Sequence, residues 1–100
     1  MILYVVELEM DSMLRDEYLA WLDEHVREML ALPGFTGAEI LVRTEPPPPV
    51  GRFVVSAHYR LRDRAAFEGY LANHAARMRA AGLVRFGERV RASRQVLESP

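Results

Sequence analysis

Six side chains have the types and spacing to do chemistry: Tyr4, Trp21, His25, Tyr59, His74 and Arg94. His25 falls four residues after Trp21 and four before Met29. His74 falls three after Leu71 and four before Met78, so both imidazoles interrupt apolar stripes at helical spacing. Arg94 interrupts the alternating set Val90, Ala92, Arg94, Val96 and shares a face with its apolar members. A guanidinium under apolar cover is costly without a partner. An arginine, two histidines and two tyrosines around an apolar space suit a small carboxylate or phenolic ligand. Arg94 would pair with the anion, His25 or His74 would move a proton, and Trp21 and Tyr4 would form the wall. The plainer reading is a closed core, with the histidines bonded to carbonyls or hydroxyls and Arg94 paired to a carboxylate of the chain's own acidic helix. Whether the space between these residues is open separates the two.

Two helices and four strands must position them. The even positions from Ile2 to Met10 are all apolar, a period of two that marks a strand with one buried face. Asp11 or Ser12 supplies an N-cap, and Leu14, Tyr18, Trp21, Leu22, His25, Val26 and Met29 make residues 12–31 an amphipathic helix stopped by Pro33 and Gly34. Phe35 to Arg43 reads as a second strand, Pro46 to Pro49 as a stiff hairpin connector, and Arg52 to Leu61 as a third strand. Asp63 caps a second helix over residues 64–81, which Gly82 ends. A short turn around Phe86 leads to a last strand, about Glu88 to Glu98.

Two strand–helix–strand units joined by a hairpin give one α+β domain over residues 1–100, a ferredoxin-like βαββαβ arrangement. Its four-stranded antiparallel sheet carries both helices on one face. Strand one then lies between strands three and four. Threaded this way, Tyr4, His25, Tyr59 and Arg94 fall toward one end of the sheet, with His74 nearer its middle. The other face is half apolar, with Leu3, Val5, Val54 and Leu97 beside Ser56, His58, Ser93 and Gln95. A lone domain would leave that patch in water, so a homodimer is expected to cover it.

The charges fit the same arrangement. Residues 1–50 carry ten acids against three arginines, a net of −7, and residues 51–100 carry ten arginines against four acids, a net of +6. Packing of the two halves explains this better than a nucleic-acid partner. Glu7 and Glu9 are expected to face Arg89 and Arg91 across a ladder.

Several functions find no footing. There is no cysteine, hence no disulfide, thiolate metal site or cysteine nucleophile. The apolar opening is cut short by Glu7 and Glu9, and no stretch approaches a membrane span, so a cytoplasmic protein is expected. A three-histidine metal site would need His58, which alternates onto the opposite face from His25 and His74. Nothing selects haem or another cofactor, and there is no nucleophile elbow or phosphate loop. RNA-binding relatives of this architecture display aromatics on the open sheet face, where this chain offers Val54, Ser56 and His58. No nucleic-acid role is expected.

The chain also resembles a known family. The residues that carry this are Met1-Ile2-Leu3-Tyr4, Trp21-Leu22, Glu24-His25, Phe35, Phe67, Tyr70-Leu71, His74, Arg77-Met78-Arg79, Arg85-Phe86-Gly87 and Arg94. They are similar to a small bacterial family known only as a domain of unknown function, within the dimeric α/β-barrel superfamily. The resemblance implies the fold and a dimer and brings no activity, because that superfamily spans cofactor-free monooxygenases, isomerases, haem-degrading enzymes and ligand sensors. Three roles stay open: binding of a small apolar anion between helices and sheet, a non-catalytic accessory or regulatory module, and a cofactor-independent monooxygenase-like or isomerase-like enzyme.

Overall fold

The computed structural model describes residues 1–100. The chain runs β1 (Ile2–Asp11), α1 (Arg15–Leu30), β2 (Phe35–Val42), β3 (Arg52–Leu61), α2 (Arg64–Asn73), α3 (Ala75–Phe86) and β4 (Val90–Glu98). Single 3-10 turns occupy Ser12–Leu14 and Gly87–Arg89. The sheet order is β2-β3-β1-β4, antiparallel throughout, which is the ferredoxin-like arrangement.

Alternation sets the layers. Ile2, Tyr4, Leu8 and Met10 of β1 and Phe53, Val55, Ala57, Tyr59 and Leu61 of β3 are buried in one cluster with Tyr18, Leu22, Val26 and Met29 of α1. The register pairs Tyr4 with Tyr59 and Val96, and Val6 with Ala57 and Arg94, so Tyr4, Tyr59 and Arg94 share the helix-side face. Each chain reversal has a local cause. The Asp11 carboxylate accepts from Met13 N, and that of Asp63 accepts from Ala66 N, both at 2.8 Å. Gly34 turns the chain at φ 84°, and Arg62 N donates back to its carbonyl at 2.9 Å. The four prolines bridge β2 to β3, held by Arg43 Nε donating to the Pro46 carbonyl and Arg52 N to that of Pro49.

Four expectations are corrected. The second helix does not run unbroken over 64–81. It bends at His74 (φ −133°, ψ −29°) and α3 continues past Gly82 to Phe86, which is a buried helical residue and not part of a turn. A helical glycine costs roughly 0.5–1 kcal/mol. Here it lets α3 approach Trp21, whose Cη2 would stand 3.2 Å from a Cβ at position 82, and it allows Phe86 to bury. Consequently β4 begins at Val90, two residues later than expected.

Glu7 and Glu9 do not pair with Arg89 and Arg91. Glu9 does stand opposite Arg91 in the ladder, but its carboxylate meets Arg52 at 3.3 Å, and Glu7 meets Arg43 at 3.5 Å. Arg89 is instead spent on the carbonyls of Phe86 and Arg85, tying down the 3-10 turn. Acidic and basic halves still meet through Glu9–Arg52, Glu39–Arg60 and Glu17–Arg85. Exposed pairs of this kind orient more than they stabilise, at roughly 0–1 kcal/mol each.

The open sheet face is also less apolar to solvent than expected. Val5 is 6% and Val54 only 1% exposed within one copy. Both lie on central strands, and the Arg43–Glu7 pair reaches across β3 from β2 to β1. The exposed apolar members are Leu97 and, on β2, Leu41.

Candidate functional site

Between helices and sheet lies a cavity of about 90 Å³. Its floor is Tyr4, Val6 and Leu8 of β1, Ala57 and Tyr59 of β3, and Ala92 and Arg94 of β4. One wall is Tyr18, Trp21, Leu22, His25 and Met29 of α1; the other is Tyr70 with Met78, Arg79, Gly82, Leu83 and Phe86 of α3. Leu83, 65% exposed, and the exposed Ala92 and Arg94 mark where it meets solvent.

Tyr4, Trp21, His25, Tyr59 and Arg94 of the six candidates line this cavity; His74 does not. The bend that ends α2 removes His74 from the inward stripe, and its Nδ1 lies 3.2 Å from an Arg77 nitrogen on the exposed side. The inward positions after the bend are taken by Ala75 and Met78. His25 is half-buried and stacks on Trp21, with ring centroids 4.6 Å apart and planes 17° from parallel. Burial pushes its pKa down, partly opposed by Glu28, so the ring is neutral near pH 7 and free to accept or relay a proton.

Tyr18, Tyr70 and Arg79 were not among the candidates, yet all three line the cavity. Arg79 Nη2 donates to the Tyr4 hydroxyl at 3.2 Å, while its Nε is shut away from solvent with no acceptor in reach. Its sequence signals were its place directly after inward-facing Met78 and its presence among the residues that carry the family resemblance. Burial raises the Tyr18, Tyr59 and Tyr70 hydroxyls well above the usual phenol value, Tyr70 to about 12. The neighbouring Tyr4 adds to the rise at Tyr70, while Arg79 and Arg94 pull against it. These phenols are therefore hydrogen-bond donors at neutral pH.

The cavity lining contains two arginines and no aspartate or glutamate. Neither Arg79 nor Arg94 makes an ion pair, although eight of the other arginines do. The pairing of Arg94 with a carboxylate of the acidic helix, expected from a closed core, is not formed. No three metal-ligating side chains come together anywhere in the structure.

The fold is the ferredoxin-like one, and solved structures share it over nearly the whole chain. A Deinococcus radiodurans protein provisionally assigned as an antibiotic biosynthesis monooxygenase superimposes with TM-score 0.71 at 13% identity, covering 100% of this chain and 93% of that one. SnoaB, a cofactor-independent oxygenase of Streptomyces nogalater, matches with TM-score 0.65 at 15% identity over 99% and 93%. A de novo designed protein, Foldit4, matches almost as well, with TM-score 0.64 at 11% identity over 99% and 98%. At such identities the likeness is one of fold alone. By its sequence the chain belongs to the family described as domain of unknown function DUF4286, whose model matches residues 1–99. No curated protein matches it.

Proposed function

We propose that this protein binds a small apolar anion in the cavity between its helices and sheet, and that it does so as a homodimer paired through the open sheet face. One observation carries the first half: two guanidiniums line an apolar cavity that supplies them with no carboxylate. For half-buried Arg79, a charge without a partner costs more than a neutral group would, and a bound anion relieves that cost. Trp21, His25 and Phe86 offer flat or apolar surface to the rest of the ligand. Support for pairing comes from the helix-free face with Leu41 and Leu97 exposed on it, and from a marine ferredoxin-like neighbour that is described as dimeric. A fold by itself carries no reaction, so the reading rests on the residues of the cavity, and these support binding.

A thermal-shift panel of small aryl and alkyl acids with their neutral analogues tests the reading. An acid at ten times its Kd adds about 1.4 kcal/mol, a rise of roughly 5–10 °C for a domain of this size. Arg94→Ala is expected to shrink that rise. If no acid moves the melting temperature at millimolar concentration, the proposal fails.

A further inference from the structure

Arg79 is the side chain that the candidate residues did not predict and that the structure leaves least satisfied. Its guanidinium carries five donors. One reaches the Tyr4 hydroxyl, a neutral acceptor, and Nε has none. Nothing acidic lines the surrounding space, and no carboxylate lies within ion-pair distance of Arg79. An unpaired polar atom beneath apolar cover costs roughly ten- to a hundred-fold in equilibrium terms, more for a charged group. Nε has no free surface of its own, so a partner from outside the chain reaches Arg79 through its terminal nitrogens.

We infer that Arg79 is the anchor for a planar carboxylate, so that the ligand class is a monocarboxylic acid on a compact aryl or alkyl body, acid group inward and body toward Trp21. This rests on the cavity-binding reading and specifies its chemistry. A carboxylate presents two coplanar oxygens that match two parallel N–H donors of one guanidinium, which a phenol or an amide does not. Tyr4, which meets Arg79 Nη2, and Tyr70 line the same cavity, so neutral phenols flank the guanidinium. Arg94 is exposed at the mouth, where solvent screens it, and acts there as a steering charge. The cavity reaches solvent beside Leu83, an exposed side chain, and an aryl acid enters there.

Calorimetric titration of benzoate and benzamide, two probes of one shape that differ in charge and in the fork, isolates the anchor. The wild-type protein is expected to prefer benzoate by on the order of ten- to a hundred-fold. Arg79→Met is expected to erase that preference while benzamide still binds, so retained benzamide affinity certifies the fold. Arg79→Lys, which keeps the charge and loses the fork, is expected to restore only part of it. Arg94→Met is expected to cost less than Arg79→Met. A preference that survives in both Arg79 variants, or that falls further in Arg94→Met, overturns the anchor and leaves cavity binding standing. If neither probe binds the wild-type protein, the cavity reading falls with it. Should Arg79→Met fail to fold, an unchanged benzoate preference in Arg79→Lys is by itself enough to overturn the inference.

Discussion

Raising the pH should unfold this protein through its buried phenols. Of four tyrosines, Tyr18, Tyr59 and Tyr70 have hydroxyls held above the usual value of 10, chiefly because burial disfavours the phenolate. A group raised on folding lends stability that is complete below its unfolded pKa and drains away as pH climbs from there toward the folded value. The loss therefore starts near pH 10 and continues upward. At about pH 11 the unfolded chain gains roughly 1.4 kcal/mol for each phenol that titrates only when released, or about 3 kcal/mol from Tyr18 and Tyr59 together. Tyr70 adds less, because Arg79 and Arg94 favour its phenolate. Against a typical total of about 5–15 kcal/mol, that is a large fraction. Urea unfolding followed across alkaline pH measures the stability, and phenolate absorbance measures the titration. Most phenolate absorbance is expected to appear together with the loss of fold. Reversible titration of three or more tyrosines near pH 10 in a folded protein would refute the buried phenol cluster and with it the donor role given to Tyr70.

Two further outcomes bear on the turns and on the open face. Gly34→Ala should cost about 2–4 kcal/mol in urea unfolding, since it combines a left-handed φ with a Cβ only 2.4 Å from that of Ala66. Gly51→Ala, with φ +80° and open space around it, should cost the backbone part alone, about 1–2 kcal/mol; equal losses at the two sites would sink the packing account of Gly34. Sedimentation at micromolar concentration should show a dimer that Leu97→Asp and Leu41→Asp dissociate, and a wild-type monomer there would remove the pairing.

Strand alternation carried much of this architecture from sequence to coordinates. The period of two in β1 and β3 placed Tyr4, Ala57 and Tyr59 under the helices, and the same alternation turned Arg94 inward. That signal is legible because a one-residue slip would send every apolar side chain to the other face. The second helix was harder. Gly82 looked like a stop because glycine usually is one, but here its missing Cβ is what Trp21 packs against. The bend at His74 has neither proline nor glycine to announce it, and it decided which of His74 and Arg79 would face the cavity. Long side chains misled as well. Glu7 and Glu9 had arginines on either side, and ladder register alone does not say which way a flexible carboxylate turns.

The strand that carries Arg94 is fastened in an uneven way. At its far end Glu98 is clasped by Arg64, with contacts of 2.6 and 3.2 Å, and at its near end Val90 is half covered below Phe86. Between these clasps Ala92, Arg94 and Val96 lie bare on the helix side, and the backbone ladder to β1 holds them. Arg94 rides on that midpoint, so on this side the rim of the cavity is a single edge strand with no helix laid over it, and whatever enters from there passes a fixed positive charge first.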